Sequence, residues 1–231
     1  MDPITRTHTP TQVVSLFQSR YTAKSYDPNR VVEDADLQAI LEAIRLSPSS
    51  MGLEPWKVVV ATPGPLVDEI APLCWGAHPS PSHWLFFLGR NAESFTAEDE
   101  VADSYVTDLH VRIQGRGEDT ATKRREHVRS LLENDLSLGS RDAATGWVDR
   151  QVFLALGSAM LASAMLGVDS TAIEGLEAKA VERVLVDHGL CDPSQYHFVV
   201  GLTLGYTDRA QHRDKRRRPL GEVVTVVDAG N

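Results

Sequence analysis

The longest apolar stretch of the chain lies between Gln151 and Leu166, and no charged residue occurs in it from Val152 to its end. Most of its residues favour helices, and Gly167 follows where a C-terminal helix cap is expected. Because the stretch has no polar face, we predict a central helix that is buried on every side. It is shorter than the roughly 20 apolar residues that a membrane span needs. An ordinary buried helix of a monomer and a helix of a core shared between subunits fit this pattern equally well.

Periodic patterns elsewhere predict further helices and strands. The first helix is predicted to begin after Thr9, which has the spacing of a capping box with Gln12, and to end near Arg20. The clearest amphipathic helix opens at Asp34 or Glu33, where apolar residues recur three and four positions apart. β-Branched runs predict the strands. The other predicted elements are helices over 66–73, 123–132 and 177–187, and strands over 56–61, 84–88, 196–206 and 222–227.

The stretch from Asn91 to Asp142 differs in character from the rest of the chain, because it is charged and poor in aliphatic residues. Such a segment is too polar to bury a core of its own. We therefore predict one domain over residues 1–231 with a peripheral helical excursion at about 91–142. The excursion is interpreted as a lid or as a wall beside the substrate.

Composition narrows the classes of function. The 231 residues are 42% hydrophobic and 24% charged, as in an ordinary globular protein, and the net charge of −9 argues against nucleic acid or an anionic membrane as the main partner. The residues after Met1 are polar, so no signal peptide is predicted. Cys74 and Cys191 are too isolated to form a disulfide framework or a metal site. A reduced, cytoplasmic protein is therefore expected.

No catalytic motif is recognisable along the chain. The sequence lacks a Gly-rich phosphate loop, metal-ligand spacing and a nucleophile elbow. The histidines His78, His83, His188 and His197 are isolated and are interpreted as structural or exposed. We therefore predict no catalytic side chain and no metal. A bound cofactor would carry the chemistry instead.

Two basic segments are candidate anion sites. If residues 20–24 are extended, Arg20, Thr22 and Lys24 point the same way, which suits a phosphate or another anion. The alternative for this segment is a solvated edge with scattered charges. The second segment, Lys215–Pro219, is either a local anion site or a solvated tail.

Four motifs, in order along the chain, resemble those of the FMN-dependent nitroreductases that use NADH or NADPH. The segment Arg20–Asp27 resembles the family's Arg-x-Ser/Thr-x-Lys/Arg-x-Phe/Tyr signature. The segment Ser47–Trp56 resembles its Pro-Ser-Ser-x-x-x-x-Pro-Trp loop, and residues 173–175 resemble its Ile-Glu-Gly turn. The basic run that begins at Lys215 resembles its C-terminal Lys/Arg cluster. The resemblance therefore extends from about residue 20 to the C-terminus.

This resemblance implies an α+β fold with a mainly antiparallel central sheet flanked by helices. It implies an intertwined homodimer in which the C-terminal strand joins the partner's sheet and two FMN sites lie at the interface. The implied activity is ping-pong hydride transfer from NAD(P)H to FMN and then to a nitroaromatic, a quinone or a similar electrophile. Two alternatives stay open: another flavin reaction, such as enone reduction, dehalogenation or dehydrogenation, and a flavin-binding protein without turnover.

The resemblance also implies roles for individual residues. The two basic segments would converge across a subunit boundary to hold the FMN phosphate, and Lys24 would lie near N1 and O2 of the flavin ring. The Ser47–Trp56 loop of the other subunit would line the ring and the ribityl chain, and the turn at 174–175 would lie near N5. The full implied set of cofactor-binding residues is Arg20, Tyr21, Thr22, Lys24, Pro48, Ser49, Ser50, Gly52, Glu174, Gly175, Lys215 and Arg217.

The chain departs from the family pattern in three places. Gly52 and Glu54 stand where many relatives carry Asn and Gln. The family's Asn-x-x-Lys pair has no match in residues 75–82. The excursion at 91–142 aligns with nothing in the family, so the resemblance implies no particular substrate.

Overall fold

A computed structural model describes residues 7–96, 105–207 and 214–227 of the chain. Every element predicted up to residue 206 is present, although the central helix begins at Arg141 rather than at Gln151. The helices are α1 (Pro10–Ser19), α2 (Asp34–Arg45), α3 (Pro65–Ile70), α4 (Glu93–Thr96), α5 (Ala121–Ser130), α6 (Arg141–Met165) and α7 (Ala178–Asp187). The strands are β1 (Trp56–Ala61), β2 (His83–Arg90), β3 (Asp169–Ile173) and β4 (Tyr196–Gly205).

The four strands form one antiparallel sheet in the order β1-β2-β4-β3, which confirms the predicted α+β architecture. Every residue of β2 is buried because helices cover both faces of the sheet. Leu85 and Phe87 point into the cluster beneath α2 and α6. The alternate residues Phe86 and Leu88 point into the cluster beneath α3 and α7. The apolar run of β2 is therefore a strand with two buried faces.

Helix α6 is buried on one face only. Val152, Ala155 and Ala159 are fully buried against α2 and the sheet, whereas Phe153 is 40% exposed and Leu154 is 48% exposed. The prediction that this helix is buried on every side, as in an ordinary monomer, is therefore wrong for the single chain. An apolar sequence determines that a surface avoids water, but it does not determine which molecule covers that surface. A core shared between subunits stays a prediction.

Helix α1 also turns its apolar residues outward. Its predicted capping box is confirmed, since the Thr9 side chain accepts from the backbone N–H of Gln12 and the Gln12 side chain accepts from Thr9. No residue of this helix is buried, and Val13, Val14 and Phe17 are each more than two-fifths exposed.

The described parts of the excursion pack on the body of the protein. They comprise α4, α5, π-helical turns at Leu109–Ile113 and Leu131–Asp135, and a 3₁₀ turn at Glu118–Thr120. Although the region is polar, its few apolar side chains join the main core beneath α2 and α6. These buried residues are Phe95, Val106, Leu109, Val128, Leu132 and Leu138.

The predicted last strand over 222–227 is not formed within the chain. A 3₁₀ turn occupies Leu220–Glu222, and residues 223–227 have no regular secondary structure. A strand that completes another chain's sheet has no partner within one chain, so strand exchange stays a prediction. Among the described helices, none has both the length and the hydropathy that a bilayer crossing requires.

Candidate functional site

The sheet fixes the first basic segment through Tyr26. The buried Tyr26 hydroxyl lies 3.0 Å from Thr203 Oγ1 and 3.2 Å from Thr171 Oγ1, and Thr171 Oγ1 donates to the Ala23 carbonyl at 3.1 Å. A Cβ on Gly205 would lie only 2.6 Å from the Tyr26 ring, so glycine at this position makes room for the tyrosine. Burial raises the pKa of Tyr26, which keeps the hydroxyl neutral. The segment that carries Arg20 is therefore held against the end of β4.

The second basic segment is tied to the first by Lys215. Its ammonium group donates to the carbonyl of Gln18 at 3.0 Å and to the carbonyl of Arg20. These contacts join the end of α1 to a segment 195 positions further along the chain. The structure thus brings together, within one chain, the two basic segments that the sequence places far apart. The prediction that they converge across a subunit boundary is wrong for the single chain, because Lys215 contacts Arg20 of its own chain.

Between the two segments lies a cavity of about 820 Å³. This volume falls within the roughly 300–1,000 Å³ of typical cofactor and small-molecule sites. The lining residues are Arg20, Tyr21, Thr22, Lys24, Asp214, Lys215, Arg216 and Arg217. Every implied cofactor-binding residue of the two basic segments is among them.

The cavity carries an excess of positive charge. Burial, and then the charge of Arg217, lower the pKa of the Arg20 guanidinium. Burial lowers the pKa of Lys215 as well, and Arg20 and Arg217 lower it further. Asp214 is the one carboxylate that lines the cavity within the described parts of the chain. The cations therefore repel one another, and an anion between them would relieve that repulsion.

A buried donor marks the same place. Nη1 of Arg20 is inaccessible to solvent and has no hydrogen-bond partner within residues 7–96, 105–207 and 214–227. Leaving a buried charged donor unsatisfied costs on the order of 1–3 kcal/mol or more. A phosphate fits such a site because it accepts from arginine in bidentate geometry and neutralises neighbouring cations.

Lys24 extends the positive charge toward the loop over 75–82. Its Nζ donates to Nε2 of His78 at 3.5 Å. Burial, and then the charge of Lys24, lower the pKa of His78, so the imidazole stays neutral and accepts this hydrogen bond. Lys24 is exposed at the rim of the cavity, where its charge is available to a ligand.

The implied loop residues Pro48, Ser49, Ser50 and Gly52 do not line this cavity. They form a turn in which Ser49 Oγ accepts from the Glu54 N–H and the Ser50 N–H donates to Gln151 on α6, both at 2.9 Å. Gly52 has φ +62°, a conformation that favours glycine. A contribution of this loop to the site of another subunit stays a prediction.

The turn at Glu174 and Gly175 also lies outside the cavity, and it contacts a residue that the sequence motifs do not indicate. A Cβ on Gly175 would lie 2.7 Å from the ring of Trp75, and the Gly76 N–H donates to the Gly175 carbonyl at 2.6 Å. The indole of Trp75 is nevertheless 80% exposed. The group that packs against Gly175 within this chain is thus a tryptophan from the loop that lacks the Asn-x-x-Lys pair.

Two of the histidines that are isolated in the sequence pair with carboxylates in the structure. Nε2 of His197 lies 2.9 Å from Asp149 Oδ1, and Nε2 of His188 lies 3.2 Å from Glu69 Oε1. Sequence distance hides these pairs, because each joins two separate elements. Within the described ranges, no group of three or more His, Cys, Asp and Glu side chains is placed to hold a metal ion.

Both cysteines are buried and free of disulfides. Burial raises the pKa of the Cys74 thiol to about 11, so this thiol is not reactive as a thiolate near neutral pH.

A sequence model of the nitroreductase family matches residues 17–206. The chain belongs to the nitroreductase family. One family relative, from Bacillus subtilis (strain 168), is named "Putative NAD(P)H nitroreductase YfkO"; it is 33% identical over 94% of this chain and 98% of its own length. A Haemophilus influenzae protein with the same NAD(P)H nitroreductase description is 32% identical over 94% of this chain and 96% of its own length.

Solved structures share the nitroreductase fold. The crystal structure of ydfN from Bacillus subtilis has a TM-score of 0.77 at 20% identity and covers 95% of this chain and 100% of that one. A structure from Exiguobacterium sibiricum 255-15, solved in complex with FMN, has a TM-score of 0.73 at 19% identity and covers 96% and 100%. The family assignment made from the four motifs is therefore confirmed.

Proposed function

We propose that this chain is an FMN-dependent oxidoreductase that takes hydride from NAD(P)H and reduces a nitroaromatic, a quinone or a similar electrophile in a ping-pong cycle. Membership of the nitroreductase family supports the reaction class, and the names of the Bacillus and Haemophilus relatives support the donor. The FMN complex of the Exiguobacterium protein supports the cofactor. When bound, FMN supplies the two-electron chemistry, so no catalytic side chain is required.

The observation that carries the proposal is the unsatisfied positive charge between the two basic segments. Arg20, Lys215 and Arg217 would bind the FMN phosphate, with the hydroxyl of Thr22 as a further donor and Tyr21 beside them. The buried Nη1 of Arg20, which has no hydrogen-bond partner in the described part of the chain, would supply one donor for a phosphate oxygen. Burial lowers the pKa values of Arg20 and Lys215, and repulsion among the neighbouring cations lowers them further, so both groups would gain from a counter-charge.

Lys24 would act on the flavin ring rather than on the phosphate. It lines the same cavity at its exposed rim, where it would be placed beside the N1 and O2 edge. A fixed positive charge at that edge stabilises negative charge on the reduced ring, which favours acceptance of hydride. Its hydrogen bond to the neutral His78 orients the ammonium group without cancelling its charge.

The remaining contacts would come from a second copy of the chain. We propose an intertwined homodimer in which Pro48, Ser49, Ser50 and Gly52 of one subunit line the ring and ribityl chain bound to the other. Exposed apolar side chains on two helices and the C-terminal segment support this arrangement, since monomers rarely expose large apolar patches. They are Val13, Val14, Phe17, Phe153, Leu154, Met165, Leu220, Val223, Val224, Val226 and Val227.

The Glu174–Gly175 turn would face the N5 edge of the ring, with a backbone N–H available as donor. The packing of Gly175 against Trp75 holds this turn in place. We also propose that the exposed indole of Trp75 takes the place of the missing Asn-x-x-Lys pair on that side of the ring.

The test is the visible spectrum of the purified protein after saturation with FMN, followed by anaerobic addition of NADH or NADPH. Bound flavin that bleaches on addition of donor, and recovers its colour with nitrofurazone or menadione, supports the proposal. Flavin that binds but does not bleach favours a binding protein without turnover. Recovery with enones alone favours another flavin reaction, and failure to bind FMN ends the proposal.

Lys24→Ala tests the proposed ring contact. We expect slower anaerobic reduction of the bound flavin, by about tenfold or more, because removing one electrostatic stabiliser typically costs that much. Lys57→Ala is the matched control, because this exposed lysine lies on β1 outside the cavity. If Lys24→Ala binds FMN and is reduced at the wild-type rate, the role assigned to Lys24 is wrong.

A further inference from the structure

The excursion contains a second basic cavity, of about 540 Å³, between its first π-helical turn and α5. No sequence motif points to this cavity, and it shares no residue with the one at Arg20. Its lining residues are His110, Arg116, Gly117, Thr120, Lys123 and Arg124.

Three cations and no carboxylate line the described part of the cavity, although the Asp119 carboxylate lies beside the lining residue Gly117. Arg116 and Lys123 are exposed and form no ion pair with any other described residue, and no carboxylate lines the cavity in the described ranges. Burial, and then the charge of Arg116, lower the pKa of Arg124. Surface cations usually lie among carboxylates, so three in one concave site indicate an anionic ligand.

A buried histidine adds to the site. His110 is only 4% exposed, and its Nε2 lies 2.8 Å from Thr120 Oγ1. Because the Thr120 hydroxyl donates to the Gly117 carbonyl, Nε2 of His110 is the donor in this bond. Nδ1 of His110 is buried and has no hydrogen-bond partner among residues 7–96, 105–207 and 214–227. When the ring carries one proton, Nδ1 is an acceptor, so it suits a donor group of a ligand and not a phosphate oxygen. The affinity of the cavity for an anion therefore rests on its cations.

The cavity is connected to the loop that would line the flavin. Nη2 of Arg124 donates to the Met51 carbonyl at 2.5 Å, and Nε2 of Gln114 donates to the Gly52 carbonyl at 3.4 Å. A ligand bound by Arg116 and Lys123 would thus lie beside the loop that the proposed function places next to the reacting ring.

We infer that this cavity binds a phosphate group of the NAD(P)H donor. The inference rests on the proposed function, because the loop beside the cavity lines the flavin only if that function holds. An arginine and a lysine that line the same open cavity suit a phosphate, which accepts several charge-assisted hydrogen bonds at once. The nicotinamide would extend from this anchor past Met51 and Gly52 toward the ring.

The probes are ADP-ribose and 2′-phospho-ADP-ribose, which carry the donor's phosphates but no nicotinamide and so cannot be oxidised. Their dissociation constants are measured by calorimetry on FMN-saturated protein, where the Arg20 cavity is already filled. We expect Arg116→Ala and Lys123→Ala each to raise the dissociation constant about tenfold, equivalent to roughly 1.4 kcal/mol. Both side chains are exposed, so the variants keep the wild-type melting temperature.

Two controls separate this site from others. Lys179→Ala removes an exposed positive charge from α7 and leaves the probe affinities unchanged. Lys215→Ala weakens FMN binding but leaves probe affinity unchanged once FMN is saturating. Weakening of both probes assigns the site to the pyrophosphate, and weakening of 2′-phospho-ADP-ribose alone assigns it to the 2′-phosphate.

Probe affinities that are the same in the wild type, Arg116→Ala and Lys123→Ala overturn the inference. The inference also fails if these variants keep their probe affinity but show a higher Michaelis constant for the anionic acceptor p-nitrobenzoate and not for nitrobenzene, since the cavity would then serve the electron acceptor. Failure of the proposed function gives a different result: the wild type would not bind FMN, or its flavin would not bleach with NAD(P)H.

Discussion

The sheet core and the surface formed by α1 and α6 contain the same kinds of apolar side chain, but the core buries them and the surface exposes them. In the core, β2 lies between two helical layers and all its residues are buried. On the α1–α6 surface, which we define by Val13, Val14, Phe17, Phe153, Leu154 and Met165, each of these residues is at least 40% exposed. The core buries its apolar side chains within one chain, whereas the α1–α6 surface leaves its apolar side chains exposed.

The incomplete surface borders the candidate cofactor cavity. A smaller cavity of about 170 Å³ between the two helices is lined by Phe17 and Leu161 and also by Arg20. Arg20 therefore lines both this small apolar cavity and the basic cavity. If a second subunit covers the α1–α6 surface, as we propose, it would also complete the cofactor site, and the following experiments test this.

The largest expected effect is a difference in stability between the alanine variants of two phenylalanines. Phe87 is fully buried in β2, whereas Phe17 on α1 is 55% exposed. Phe87→Ala should lower the free energy of unfolding by about 3–5 kcal/mol because it leaves a cavity in a packed core. Phe17→Ala should lower that of the monomer by far less. Urea unfolding at low protein concentration measures both, and equal losses would show that the α1–α6 surface is no different from the core.

A charge on the α1–α6 surface should break the association that we propose. Leu154→Glu places an unpaired carboxylate where another subunit would cover the helix, which is costly in an apolar interface. We expect the dimer dissociation constant in sedimentation experiments to rise about a hundredfold, or roughly 2.7 kcal/mol. FMN occupancy should fall with it.

Val31→Glu is the matched control for this change, because Val31 is a 64% exposed apolar residue outside the α1–α6 surface. It should leave association and FMN occupancy as in the wild type. A Leu154→Glu protein that remains dimeric and yellow would separate the apolar surface from the cofactor site.

The sequence predicted the elements better than their surroundings. Local patterns specified the capping box at Thr9, the periodic face of α2 and the strands, because each depends on residues close together in sequence. The all-round apolar stretch of α6 was correctly predicted as a helix but wrongly as buried on every side. The hydrophobicity of a side chain indicates that it favours burial. Whether Leu154 is buried depends on a second surface, which the sequence around Leu154 does not describe.

The candidate site shows the same limit. Motif order predicted that Arg20 and Lys215 meet, because family motifs record contacts that spacing alone does not show. Trp75, by contrast, belongs to no motif, and its packing on Gly175 depends on how two loops meet at the end of the sheet. The sequence did not predict the cavity at Arg116 and Lys123, because the excursion is charged throughout. Only the folded turns show which cations share a concave site.

A smaller effect is expected at the cofactor cavity, from the loss of one cation that would bind FMN. Lys215→Ala should weaken FMN binding about tenfold, equivalent to roughly 1.4 kcal/mol, because it removes one charged donor. Without FMN, the same variant should change the melting temperature little, since the lost hydrogen bonds to the Gln18 and Arg20 carbonyls oppose the relieved repulsion from Arg20 and Arg217. Fluorescence titration and thermal melting measure the two quantities, with Lys179→Ala as control. A variant that loses stability but keeps its affinity for FMN would make Lys215 a structural residue.

The smallest effect concerns pH in the FMN-free protein. Burial and the neighbouring cations lower the pKa of Lys215 in the folded chain below that of the unfolded chain. Between these two values the unfolded state binds more protons, so the contribution of Lys215 to stability rises with pH in that alkaline window. We expect the melting temperature of Lys215→Met, relative to the wild type, to fall as pH increases through this window. Saturating FMN should abolish the difference in slope, because the phosphate restores the pKa of Lys215 toward that of an ordinary lysine. Parallel melting curves with and without FMN would show that the phosphate does not bind beside Lys215. The connection between the two cavities that Arg20 lines would then depend on the Arg20 guanidinium and not on Lys215.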